Sequence, residues 1–186
     1  MSQFEPALKY LLQREGDLQE SPNDPGGITK CGISLRFLKS LDSASLRKYG
    51  LPTAENISRV DVEQLTPGQI KALYQGEFWD HAPFDRINNQ NICNYLFDAC
   101  VNLGIAPAVK CLQHAIWALE RDRTALLDDG ILGPKTLDFT NNHNQFALLS
   151  AMRSERAGEY RLIAKDRPEQ NVYLNGWLNR SYNGKT

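Results

Sequence analysis

Four carboxylates crowd one short stretch of this chain: Glu15, Asp17, Glu20 and Asp24 all lie in Arg14–Ser34, REGDLQESPNDPGGITKCGIS. Acidic groups held across a groove can share proton chemistry, one giving a proton to a leaving oxygen while another stays charged. Glu15 closes an apolar-striped segment, and Asp24 opens the tight turn Asp24-Pro25-Gly26-Gly27, where Pro fixes φ and Gly admits positive φ. At the C-terminal end of a helix the peptide dipoles present negative charge, which favours a protonated carboxyl. The chemistry this suggests is general-acid catalysis by Glu15. The same residues also fit a solvent-exposed terminal glutamate followed by a hairpin tip with no chemistry.

The elements that must position these groups are mostly helices. Phe4, Leu8, Leu11 and Leu12 recur at helical spacing; Pro6 suits a first turn, Ser2 with Glu5 offers a competing capping box, and Gly16 ends the pattern. Ile28–Ile33 is a short β-prone run, and Ser34 caps the next helix. Thr66-Pro67-Gly68-Gln69 has the cap, the proline and the third-position glutamine of a helix start, leading into Ile70, Leu73, Tyr74 and Phe78. Trp79 follows, a flat ring that could stack on a sugar or simply pack in the core. Ile92, Leu96, Ala99, Cys100 and Leu103 line one helix that Gly104 stops, and Pro107 opens another. Asn144 caps the longest helix, whose stripe runs through Phe146, Leu149, Met152, Arg156, Tyr160 and Ile163; a last short helix carries Trp177. The expected fold is mainly α, with one small β element near Ile28.

Composition narrows the class. The 186 residues, 41% hydrophobic, suffice for one domain or a two-lobed body. Lys+Arg (21) nearly balance Asp+Glu (22), so no global charge draws the chain to nucleic acid, and no nucleic-acid motif, P-loop or Rossmann unit stands out. No run approaches the roughly 20 apolar residues of a membrane span. The N-terminus lacks the features of a signal peptide, so synthesis in the cytoplasm is expected, and any action outside the cell needs some other route of release. Cys31, Cys93, Cys100 and Cys111 show no metal-ligand spacing with the three histidines and read as free thiols. Neither a metal nor a cofactor is implied.

The run from Glu15-Gly16 through Pro22-Asn23-Asp24-Pro25-Gly26-Gly27-Ile28-Thr29-Lys30 to Gly32-Ile33-Ser34 resembles the signature of glycoside hydrolase family 108, lysozyme-like muramidases of phage endolysins and bacterial toxin-release operons. Leu96-Phe97-Asp98-Ala99, Asn102-Leu103-Gly104, Leu112-Gln113, the stretch Asp129–Thr136 and Gly176-Trp177-Leu178-Asn179-Arg180 resemble the peptidoglycan domain that accompanies them. Three positions depart from the family pattern: Asp17 stands for a second glycine, Glu20-Ser21 for an Asn-Asp pair, and Cys31 for an aromatic residue.

The resemblance implies a lysozyme-like α+β fold with one small β-hairpin near the active site. It implies a glycosidase lobe over residues 1–88 and a helical peptidoglycan-associated lobe over 89–186, packed as one body. Glu15 is the catalytic acid of a muramidase that cuts between N-acetylmuramic acid and N-acetylglucosamine. Asp24 is the second acid and Thr29 the residue that helps hold a water. Trp79, Gly26, Gly27 and Asn102 are the substrate-binding candidates. The partners are peptidoglycan glycan strands and a holin or other release system, with no nucleic acid, and the chain is a monomer. Two other classes stay open: a non-catalytic wall-binding or phage structural protein, and a peptidoglycan amidase or peptidase.

Overall fold

The computed structural model describes residues 1–15, 28–182 and the backbone of 18–19. Asp17, Glu20, Asp24, Gly26 and Gly27 lie outside the described residues.

Helix α1 (Phe4–Leu12) buries Ala7, Leu8 and Leu11, as its spacing requires. No side chain caps it. The Ser2 hydroxyl that was expected to do so instead donates to the Ile87 carbonyl at 2.7 Å. The Gln3 amide donates to the Gln90 side chain at 2.8 Å, tying the start of α1 to a later helix. Beyond α1 lies a three-stranded antiparallel sheet of two-residue strands, β1 (Leu18–Gln19), β2 (Thr29–Lys30) and β3 (Ile33–Ser34), in the order β1-β2-β3. Thr29 pairs with Gln19 and with Ser34. The run Ile28–Ile33 is therefore a hairpin rather than a single strand. Its two-residue loop, Cys31-Gly32, has positive φ at both positions (49° and 82°). That is the combination demanded by the tight turn whose twist matches paired strands.

Ser34 caps α2 (Leu35–Ser40) by accepting from the Phe37 amide, and Asp42 caps a separate α3 (Ser43–Lys48). Short α4 (Arg59–Glu63) precedes α5 (Pro67–Glu77), which begins with the expected Thr66–Gln69 capping box. Two 3₁₀ turns, Trp79–His81 and Phe84–Arg86, lead to α6 (Gln90–Leu103), entered through an Asn89 cap. Then come α7 (Ile105–Glu120), α8 (Pro134–Asn142), the 22-residue α9 (Gln145–Asp166), a 3₁₀ turn Pro168–Tyr173 and α10 (Leu174–Ser181).

Residues 92–100 of α6 are all buried, the mark of a helix enclosed on every side. It packs against α1, α7 and α9. An enclosed helix cannot leave a charge unanswered, and Asp98 lies within that stretch. No described helix is long and apolar enough to cross a membrane.

Candidate active site

Glu15 lies just past the end of α1, where its amide donates back to the Leu11 carbonyl at 3.2 Å. Its carboxyl meets the β2–β3 hairpin at Gly32. A Cβ built on Gly32 would lie 2.7 Å from Glu15 Cδ, 2.8 Å from Glu15 Oε2 and 2.7 Å from the Tyr74 hydroxyl. Glycine is thus required here twice, by its positive φ and by the close approach. Tyr74, buried on α5, donates its hydroxyl to the Cys31 carbonyl at 2.7 Å and clamps the hairpin turn. Burial, and then the Glu15 carboxylate, push the Tyr74 phenol well above its ordinary range, so it remains a neutral donor.

On its other oxygen Glu15 meets an arginine from the far end of the chain. Arg180 Nη2 on α10 donates to Glu15 Oε1 at 2.6 Å. The same guanidinium forks onto Asp98, Nη2 to Oδ1 at 2.6 Å and Nε to Oδ2 at 3.2 Å. Asp98 Oδ2 also accepts from Arg156 Nη1 of α9 at 2.7 Å. Cation and acid alternate along one line of contacts, Arg156, Asp98, Arg180, Glu15. They also emerge gradually: the side chains of Arg156 and Asp98 are 1% exposed, Arg180 11% and Glu15 16%. Burial by itself would raise the Asp98 carboxyl, but Arg156 and Arg180 outweigh it and hold Asp98 below the usual carboxylate range. Arg156 also donates to the Tyr160 hydroxyl at 3.1 and 3.3 Å, so its remaining face is satisfied.

The position of Arg180 depends on how α10 docks. Trp177 stacks on Tyr160, with centroids 5.1 Å apart and planes at 22°. Tyr95 of α6 donates to the Ser181 carbonyl at 2.9 Å. Both contacts lie within one turn of Arg180, so the short helix holds it in register with Asp98.

Among the sequence-predicted site residues, Thr29 sits on β2, two residues before the turn that Glu15 touches. Asn102 is one turn beyond Asp98 on α6, exposed, its amide donating to the Asp98 carbonyl at 2.9 Å. Trp79 is half-buried and lines a surface hollow together with Asp80, His81 and Asp85. It stacks on Phe84 (5.2 Å, 25°) and packs against Phe4 and Phe97 at 5.3 and 5.5 Å. Three aromatic neighbours claim the ring, because the 3₁₀ turn that carries it folds back onto α1 and α6.

Asp98, Arg156, Arg180 and Tyr74 were not singled out as site residues. Their signals were present: Arg156 interrupts an otherwise apolar stripe, and Asp98 and Arg180 fall inside the motif stretches Leu96–Ala99 and Gly176–Arg180.

The four cysteines form no disulfide. Burial pushes the Cys93 and Cys111 thiols up to about 12 and Cys100 higher still.

The family model described as glycosyl hydrolase 108 matches residues 8–104, and that described as a predicted peptidoglycan domain matches 107–182. The two matches meet at the α6–α7 junction, so Glu15 and Asp98 fall in the first and Arg156 and Arg180 in the second. Among solved structures, SagA from Brucella abortus is similar over 96% of this chain and 89% of that one, with a TM-score of 0.70 and 22% sequence identity. At that identity the likeness speaks for the fold alone, which is mainly helical with a small sheet beside Glu15. No curated protein gives a significant match.

Proposed function

The chain belongs to the glycosyl hydrolase 108 family, and from that premise we propose how its site works on peptidoglycan, the glycan its second family match points to. The bond cut is the β-1,4 link between N-acetylmuramic acid and N-acetylglucosamine, and Glu15 is the general acid. The single observation that carries this reading is the Glu15 carboxyl itself. It is largely shielded, fixed between the Gly32 turn and Arg180, and constrained on each oxygen by a different element.

Arg180 grips Oε1, which leaves Oε2 on the hairpin side to carry the proton to the glycosidic oxygen. A general acid so placed contributes about 10²–10⁴-fold. Asp24 is the second carboxylate, activating the water that attacks the opposite face of the sugar, and Thr29 helps hold that water. A carboxyl separation of about 6.5–9.5 Å goes with inversion, and about 5–5.5 Å with retention. Gly26, Gly27 and Asn102 border the bound glycan. In the cell the enzyme acts on the periplasmic wall as an endolysin or toxin-release lysin, admitted by a holin or comparable system.

Mass spectrometry of fragments released from purified sacculi tests the reaction: new reducing sugar ends are expected, whereas new amino termini would mean peptide cleavage. Glu15→Gln should fold normally and lose at least ninety per cent of activity; retention of more than about a tenth contradicts the assigned role. Asp24→Asn should lose at least tenfold while Glu20→Gln loses less, and the reverse order would move the base role to Glu20.

A further inference from the structure

A groove runs between α7 and α9, on a different face of α9 from Arg156 and Tyr160. Two adjoining hollows of about 640 and 410 Å³ form it, with His114 and Glu155 as shared walls. Its floor includes Gly158, in the interior of the 22-residue α9. Glycine in a helix interior costs about 1 kcal/mol relative to alanine. Crowding does not explain it, because nothing lies within 4 Å of a Cβ built there. The glycine keeps the floor bare.

The walls are graded along the groove. Leu162 and Ala106 make one end apolar. Glu155 and Glu159 bring negative charge to the middle, where Lys110 also stands, 3.5 Å from Asp128, and His114 lies 3.9 Å from Glu155; Arg121 with Arg123 bring positive charge to the other end. Trp117 marks the boundary, its ring stacked on His114 (4.8 Å, 21°) and anchored by its Nε1 donating to the Leu126 carbonyl at 3.0 Å. From Ala106 to Arg121 the α7 wall is about 22 Å long at 1.5 Å per residue. An extended peptide of about five residues spans about 17 Å.

We infer that this groove binds the stem peptide of peptidoglycan, a short chain bearing carboxylates and, in many walls, the free ammonium of a diamino acid. The inference rests on the proposed action on peptidoglycan. Charge selects the peptide over the glycan: the sugar backbone is neutral once its lactyl groups are amidated, and offers no charged partner to Glu159 or to the Arg121–Arg123 end. A stem laid along the groove puts carboxylates at Arg121 and Arg123, its ammonium at Glu155 and Glu159, and alanine methyls near Leu162. Its main chain passes over Gly158. The second region would then hold the peptide while also supplying Arg180 to the acid, so that cutting is favoured on strands that still carry stems.

The test is co-sedimentation of the full chain, carrying Glu15→Gln to prevent digestion, with intact sacculi and with peptide-free glycan strands. Adding Gly158→Leu fills the floor at a position with open space and improves helix propensity, so the fold is kept. The expected result is an at least tenfold weaker association with sacculi and unchanged association with peptide-free strands. The double charge reversal Arg121→Glu/Arg123→Glu should act the same way. Unchanged binding to sacculi in both variants overturns the proposal, and so does an equal loss on both substrates, which would make the groove a glycan or general surface site. A wild-type chain that binds sacculi through this groove but releases no reducing ends would instead overturn the glycosidase reading alone.

Discussion

Replacing Arg180 tests whether the second region completes the catalytic site. Arg180→Met keeps the aliphatic stem and removes the guanidinium that spans Glu15 and Asp98. Breaking a buried ion pair by deleting one partner costs about 3–5 kcal/mol. Here Asp98 keeps Arg156 and Arg180 lies toward the surface side of the line, so about 2–3 kcal/mol is expected. For a chain of this size that lowers the melting temperature by about 4–12 °C. The larger effect is on rate. Glu15 Oε1 loses the contact that fixes it, and an ångström of misplacement costs about 10²-fold. The expected result is a kcat about 10²-fold lower with KM little changed, because Arg180 is placed to orient the acid and not to hold sugar. Arg180→Lys should recover part of the stability but still turn over about tenfold slower, since one ammonium cannot reproduce a fork onto Asp98 and a further bond to Glu15. Val109→Ala, a fully buried change on α7, serves as the stability-matched control at about 2 kcal/mol and should leave kcat intact. Digestion of purified walls, followed well below every melting temperature, supplies the rates. A wild-type kcat in Arg180→Met, or an equal fall in Val109→Ala, would refute the assignment of Arg180 as a positioning residue.

Asp98 should leave a signature in the acid limb of stability. Its carboxyl is depressed in the folded state, so its contribution is complete above about pH 4, the unfolded value, and is lost as pH falls through the lower folded value. Denaturant titrations should show a wild-type acid-side slope steeper by about 1.4 kcal/mol per pH unit than that of Asp98→Asn, and equal slopes would remove Asp98 from the account. Gly32→Ala should cost about 1–2 kcal/mol from its positive φ alone and should also displace Glu15, so activity falls well beyond the loss of stability; near-normal lysis would show that the close approach is relaxed at no cost. Thiol-reactive probes should label Cys31 first, because the other three thiols are buried and raised, and labelling there should block activity by disturbing the turn against Glu15. Dithiothreitol should change neither stability nor lysis.

Local signals gave most of the helices. The Thr66–Gln69 box, the Asn89 and Asn144 caps and the Ser34 cap all work through atoms within three residues of one another, so a single sequence displays them. Ser2 misled because a long-range acceptor, the Ile87 carbonyl, outcompeted the local cap. Phe146 misled because the buried face of α9 begins at Leu148, two residues on, which turns that ring, 89% exposed, to the outside. The hairpin at Cys31-Gly32 was hidden by its cysteine, since a non-glycine residue at positive φ is uncommon outside asparagine and aspartate. Its support comes from Tyr74, forty-three residues away.

Glu15 stood out in the sequence as a candidate, but its environment did not, and the reason is topological. Glu15 ends a helix, and the dipole argument treats that end as isolated. In the folded chain Arg180, 165 residues distant, donates to Glu15, and it reaches Glu15 because α6 places Asp98 between α1 and α9. A buried arginine in an apolar stripe demands a buried acid, and a buried acid inside an enclosed helix demands a cation. Arg156 and Asp98 could therefore have been paired from the helical patterns alone. Asp98 has two oxygens, and Arg156 donates to only one of them. The second oxygen is what calls for a further donor, and that donor is the arginine that also holds Glu15. The carboxyl of Glu15, the proposed acid, is thus oriented by the last link in a chain of charge compensation that begins in the core. On this reasoning, detaching α10 should silence the enzyme even with every sugar-contacting residue of the first region in place.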